Sequence, residues 1–198
     1  MTIAIRCCVF LTGLALFAAT STAAAEPDCR QDTFSQEKSC VYGRGSIGMA
    51  GIGNQIITRD GQMYFRRLIT LTNSGDPVDV DAILFRIDDR RTVQLKAENA
   101  DRPTVNCSGR LCTWSWNVMA PISASVLAEL ASAKKLVIAF QGEGRRLGEG
   151  DMRRGGQIFA RFLSDIRTHE SGVLETSQHE AFLVEGRNLI PYAAPAGE

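Results

Sequence analysis

The chain has 198 residues and carries 22 basic and 22 acidic side chains, so its formal charge at pH 7 is zero. A neutral chain lacks the basic excess that general binding to nucleic acid or to anionic membranes needs, and we expect neither kind of partner. Hydrophobic residues make up 44% of the sequence, which is enough to build a folded core at this length.

The first 25 residues have the three parts of a secretory signal peptide. A short segment ending at Arg6 is followed by an uncharged apolar stretch over residues 7–19 and by an A-x-A site at residues 23–25. The apolar stretch is shorter than the about 20 residues that cross a bilayer. We therefore expect cleavage after Ala25, export to the periplasm or out of the cell, and a mature chain that is not an integral membrane protein.

The mature chain is expected to be one domain. Removing residues 1–25 leaves 173 residues with a formal charge of −1, because Arg6 is the only charged residue lost. That length is typical of a single domain. We assign residues 26–169 to a secreted β-rich domain. Residues 170–198 show no sustained hydrophobic period, and we expect a partly flexible C-terminal extension there.

Four cysteines remain after cleavage. They are Cys29, Cys40, Cys107 and Cys112. An even number in an oxidising compartment predicts two disulfides, and pairing of sequence neighbours is the simplest of three possible connectivities. A zinc site with four thiolates is the alternative, but the 10 residues between Cys29 and Cys40 exceed the usual ligand spacing of about two to four.

Strand patterns occupy most of the chain before residue 120. Residues 111–118 are the clearest case, because apolar and polar side chains alternate there as in a strand with one buried face. The apolar set is Cys112, Trp114, Trp116 and Val118, and the polar set is Thr113, Ser115 and Asn117. Further strands are expected at the start of residues 39–53 and over residues 62–72, 78–87 and 92–97.

The pattern changes to a helical one after Pro121. Ser123 or Ser125 is placed to cap a helix that includes an apolar stripe at Val126, Leu127 and Leu130. Residues 135–140 are short and apolar, which predicts a central strand. A second amphipathic helix is expected where apolar residues recur at helical spacing, namely at Ile158, Phe159, Phe162, Leu163 and Ile166. These elements together predict a mainly β, α+β domain, an antiparallel sandwich with one or two late helices.

Residues 142–156 form a loop rich in glycine and arginine in this interpretation. Two arginine pairs, Arg145–Arg146 and Arg153–Arg154, are candidates for binding an anion such as phosphate, sulfate or a carboxylate. Acidic residues are interspersed at Glu143, Glu149 and Asp151 and leave the loop with a net charge of only +1. A solvated hairpin loop is the alternative interpretation.

Catalytic and cofactor motifs are sparse. Residues 43–48 match G-x-G-x-x-G, and Asp60 lies near the acidic position, but more glycines follow where a dinucleotide fold begins a helix. His169 and His179 are the only histidines, and the sequence has no G-x-S-x-G elbow. We therefore expect no enzyme activity, no cofactor and no metal. A hydrolase using His169 or His179 stays open as an alternative.

An ordered set of features over residues 93–166 resembles the invasion-associated locus B family of small secreted bacterial proteins. These features are the close cysteine pair in Cys107-Ser108-Gly109-Arg110-Leu111-Cys112, a leucine-bearing helix over residues 126–133, the apolar strand Lys135-Leu136-Val137-Ile138-Ala139-Phe140 and an amphipathic segment over residues 157–166. An early pair, Cys29 and Cys40, is also similar in placement. The resemblance implies a periplasmic or secreted β-rich domain held by disulfides, with no catalytic residues.

These inferences favour an exported, non-enzymatic protein that acts by contact with a protein or an envelope component. An anion- or glycan-binding module that uses residues 142–156 is the alternative. The sequence does not identify the partner.

Overall fold

The computed structural model describes residues 26–33, 37–43, 53–73, 78–177 and 182–184. The expected signal peptide and His179 lie outside these residues. The elements are β1 Asp28–Gln31, β2 Lys38–Tyr42, β3 Asn54–Arg59, β4 Gln62–Asn73, β5 Ala82–Ile87, β6 Arg91–Lys96, β7 Glu98–Asn99, β8 Thr104–Ser108, β9 Leu111–Pro121, α1 Ala124–Ser132, β10 Leu136–Gly142, β11 Arg145–Asp151, α2 Gly155–His169, α3 Ser171–Thr176 and β12 Phe182–Val184.

The strands form two antiparallel sheets. The larger sheet has the order β1-β2-β3-β4-β9-β7, and β8 also pairs with β9. The smaller sheet has the order β11-β10-β5-β6-β12. This confirms the predicted fold class, an antiparallel, sandwich-like β domain with two disulfides and few helices.

The core lies between the inner faces of the two sheets and is completed by α2. Phe65 on β4 and Phe85 on β5 are fully buried, and their ring centroids are 5.3 Å apart. Phe159 of α2 contacts both rings, at 5.8 Å from Phe65 and 5.7 Å from Phe85. One aromatic cluster therefore connects both sheets with the helix, and burial of rings of this size contributes strongly to stability.

Helix α1 begins where the sequence indicates, and the predicted apolar stripe of α2 is present. Ser123 caps α1 by accepting a hydrogen bond from the backbone N–H of Val126 at 3.3 Å. The apolar stripe of α2 is buried, as expected. The first turn of α2 lies so close to the end of α1 that a Cβ on Gly156 would collide with the carbonyl oxygen of Ala133. Glycine at this position permits that contact.

The loop prediction for residues 142–156 is wrong. Residues 145–151 form β11, which pairs with β10, and α2 already begins at Gly155. Main-chain pairing with the exposed edge of β10 outweighs the low strand propensity of Gly148 and Gly150. The strand predicted from residue 78 begins only at Ala82. Strand β3 and helix α3 were not anticipated.

Candidate interaction surface

Two cross-strand disulfides close hairpins at opposite ends of the larger sheet. Cys29 of β1 is bonded to Cys40 of β2, and Cys107 of β8 is bonded to Cys112 of β9. The disulfides join sequence neighbours, and they use all four sulfurs that a zinc site would need. Disulfides of this kind are typical of proteins in an oxidising compartment.

The β8–β9 hairpin is held by both its turn and its disulfide. Ser108 pairs with Leu111, and the intervening Gly109 has a positive φ of 62°, which glycine adopts without strain. One residue pair further on, Cys107 is linked to Cys112. The hairpin therefore has a fixed register, although every residue of β8 is exposed.

The hairpin carries exposed apolar side chains on both of its faces. Among the described residues, the exposed large hydrophobic side chains are Val105, at 47% exposure, and Leu111, at 58%. Val105 pairs with the half-buried Trp114, whose ring packs against the core, so these two residues lie on one face. Leu111 lies on the opposite face because neighbouring strand positions alternate. Two exposed apolar side chains on an element with a fixed register make this hairpin the candidate interaction surface.

The register of β8 also identifies which of its backbone groups are open. The Cα atoms of Cys107 and Cys112 are 4.0 Å apart, which is typical of a non-hydrogen-bonded pair in an antiparallel ladder. Val105 and Trp114 form the next pair of the same kind. The N–H and C=O groups of Val105 and Cys107 therefore point away from β9. Within the described ranges, no residue forms a hydrogen bond with them.

Two cations flank β8. Arg102 precedes the strand, Arg110 lies in the hairpin turn, and both are exposed. In the part of the chain that the structure describes, neither forms an ion pair. The nearby carboxylate of Asp101 instead accepts hydrogen bonds from the backbone N–H and the side-chain amide of Asn117, at 2.7 and 2.6 Å. The open strand therefore lies between two positive charges.

The structure does not bring the four predicted anion-binding arginines together. Arg145 and Arg146 lie at the start of β11, whereas Arg153 and Arg154 follow its end. The seven residues of β11 span roughly 20 Å at about 3.3 Å per residue. Arg146 is also paired with Glu149 at 2.6 Å. The anion site stays a prediction, and its two halves are separate.

A buried carboxylate that the sequence did not reveal lies where α2 meets α3. Glu170 accepts hydrogen bonds from the hydroxyls of Tyr42 and Thr58, at 2.8 and 2.5 Å, and its second oxygen lies 3.1 Å from the ammonium of Lys38. The side chain of Glu170 is only 10% exposed. These contacts attach the end of α2 to β2 and β3.

Opposing effects set the pKa of this carboxylate. Burial raises the pKa of Glu170, but the hydrogen bonds from Thr58, Tyr42 and Lys38 and the charge of Lys38 outweigh burial and lower it below 4.5. Burial raises the pKa of Tyr42, and its bond to Glu170 raises it further. Asp165, one turn earlier in α2, has a pKa raised by burial. Glu170 thus stays charged as a structural anchor.

The remaining candidates are dispersed. His169 is exposed at the end of α2. Of the glycine motif, only Gly43 is described, and Asp60 lies in the turn between β3 and β4 with its carboxylate 3.7 Å from Arg59. Across the described ranges, no three His, Cys, Asp or Glu side chains group as metal ligands do.

No family model, no curated protein and no solved structure matches the chain. Within the described ranges, none of the helices has the length and apolar character needed to span a bilayer.

Proposed function

We propose that this protein is an exported, non-enzymatic interaction module that binds a protein component of the bacterial envelope through the β8–β9 hairpin. The exposure of Val105 and Leu111 on a disulfide-held hairpin carries the proposal. A rigid element loses little conformational entropy when it binds, so even a small apolar surface can contribute affinity.

Export is part of this proposal. The N-terminal pattern ending at Ala25 and the two disulfides support secretion or residence in the periplasm. The resemblance to the invasion-associated locus B family supports the same location. Mass spectrometry of the exported protein should find an N-terminus at Glu26, and an intact Met1 on a membrane-embedded form would contradict export.

The function can be tested with two variants of equal charge. In V105D/L111D, both exposed apolar side chains of the hairpin become acidic. In the matched control A128D/A160D, two exposed alanines on α1 and α2 are changed in the same way. Each purified mature chain is mixed with envelope fragments of the producing bacterium, and the bound fraction is measured after sedimentation.

We expect V105D/L111D to weaken binding to the envelope fragments about tenfold in dissociation constant, which corresponds to losing about 1.4 kcal/mol of binding free energy. A128D/A160D should be retained like the wild type. Both variants should keep their fold, because exposed substitutions usually change stability by less than about 0.5 kcal/mol. Equal retention of both variants and the wild type would contradict the proposed function.

A further inference from the structure

We propose that the partner binds as an extended segment with acidic residues at its ends, which adds a strand to the open edge of β8 between Arg102 and Arg110. This inference rests on the proposed function of the β8–β9 hairpin and names the chemistry of its ligand.

Backbone geometry supports strand addition. The outward N–H and C=O groups of Val105 and Cys107 supply two donors and two acceptors along one line, and β9 already fixes the strand that carries them. An added strand uses such groups for affinity and uses its alternating side chains for specificity. Val105 then contacts an apolar residue of the ligand on the inner face of the sheet.

The ends of the strand limit the length of the added segment. Pro103 has no N–H group to donate, and Gly109 turns the chain away from the edge. Val105 and Cys107 are therefore the two residues of β8 that offer an extended ligand both an outward N–H and an outward C=O group. A ligand longer than the segment that pairs with Val105 and Cys107 extends past the strand ends towards Arg102 and Arg110.

Charge favours an acidic ligand over a second copy of this chain. In the two-fold antiparallel arrangement that uses both open residues, Val105 of one copy pairs with Cys107 of the other. That register brings Arg102, before the strand, towards Arg110 in the turn of the second copy, and like charges placed near each other across an interface repel. An extended segment with carboxylates at its ends instead meets a positive charge at each end of β8.

Two synthetic peptides test the ligand chemistry. Both have an alternating Val-Thr-Val-Thr-Val core, one with two Glu residues at each end and the other with two Lys residues at each end. Binding of each fluorescent peptide to the full mature chain is measured by anisotropy at low salt. We expect the Glu-flanked peptide to bind at least about tenfold more tightly, with an advantage that declines as salt is added.

One pair of variants tests whether the backbone itself binds. V105P removes the outward N–H group and keeps an apolar side chain, a change that an edge strand tolerates, whereas V105T keeps the N–H group and nearly the same shape. V105P should weaken binding of the Glu-flanked peptide about tenfold, and V105T should weaken it less than about threefold. Peptide mapping of the Cys107–Cys112 disulfide and the melting temperature check that both variants fold.

Distinct results would overturn the inference. Equal binding of the two peptides would contradict an acidic ligand, and equal affinities of V105P and V105T would contradict strand addition. A wild-type dimer in sedimentation that V105P dissociates would identify a second copy as the occupant.

If neither peptide binds while V105D/L111D still loses envelope retention, strand addition is wrong and the proposed function stands. If V105D/L111D retains envelope binding, the proposed function itself is wrong.

Discussion

The two disulfide hairpins of the larger sheet differ in how deeply their inner cysteine is buried, since Cys40 is fully buried and Cys112 only partly. In the β1–β2 hairpin, β1 with Cys29 is mostly exposed, but Cys40 and Tyr42 of β2 are almost fully buried against the core. In the β8–β9 hairpin, β8 is exposed along its whole length. The first disulfide therefore supports packing, whereas the second keeps an exposed strand in register. The comparison indicates that the chain stabilises its β8–β9 edge, which none of the described segments covers.

Removing the β1–β2 disulfide should have the largest effect on stability. The loop-entropy relation gives about 2.8 kcal/mol for a separation of 11 residues, and loss of the buried Cys40 sulfur adds a cavity cost. We expect C29A/C40A to lower the free energy of unfolding by about 4 kcal/mol in urea denaturation. A loss no larger than that of C107A/C112A would contradict the supporting role of this disulfide.

Removing the β8–β9 disulfide should affect binding more than folding. The same relation gives about 2 kcal/mol for a separation of 5 residues, and no comparable packing is lost. C107A/C112A should melt at a lower temperature than the wild type, keep the Cys29–Cys40 bond and lose envelope retention. Full retention by this variant would show that the fixed register of β8 is not needed for binding.

Glu170 is a second contact that packs the β1–β2 hairpin against the core. It attaches α2 to β2, the strand that also carries Cys40. E170Q keeps the shape of the side chain but loses the charge that Lys38, Tyr42 and Thr58 stabilise. We expect it to lower the free energy of unfolding at pH 7 by about 2 kcal/mol, a typical value for hydrogen bonds to a charged group. Envelope retention of the folded protein should not change.

The pH dependence of this loss has a defined sign. Because the folded-state pKa of Glu170 lies below 4.5, its stabilising effect is full above that pH and is lost as the pH falls through the folded-state value. The difference between wild type and E170Q should therefore shrink below about pH 4.5. The control is D165N, which should not lower stability at pH 7, because burial raises the pKa of Asp165 and disfavours its charge. A pH-independent E170Q difference would contradict the anchor.

The arginines of β11 and of the turn before α2 should give the smallest effect. The pair of Arg146 with Glu149 is partly exposed, and such pairs contribute at most about 1 kcal/mol. We expect the variant with all four arginines changed to alanine, at positions 145, 146, 153 and 154, to keep its envelope retention within about twofold. A tenfold loss at constant stability would favour the anion-binding alternative and weaken the account of the hairpin.

The sequence predicted the elements whose pattern is local. Strand β9 alternates strictly, α2 repeats its apolar residues at helical spacing, and Ser123 precedes α1 as a cap does, so each could be read from a short window. β11 could not be predicted, because its glycines are recruited by the edge of β10. Glu170 could not be found either, because its partners Tyr42 and Thr58 lie 128 and 112 residues away.

The candidate surface was predictable only in part. The close cysteine pair and the turn at Gly109 indicated a closed hairpin around Leu111. The open edge depends on sheet order, since among the described strands none pairs with the side of β8 that faces away from β9. The pairing of Val105 with Trp114 depends on the register of the hairpin. The tight turn and the disulfide together fix that register.

Hydrogen–deuterium exchange of the full mature chain, with and without solubilised envelope protein, tests the central claim most directly, because it reports on both hairpins in one experiment. The account predicts that bound envelope protein slows exchange in residues 104–114 and leaves residues 28–42 unchanged. Slower exchange in the β1–β2 hairpin, with residues 104–114 unaffected, would contradict it.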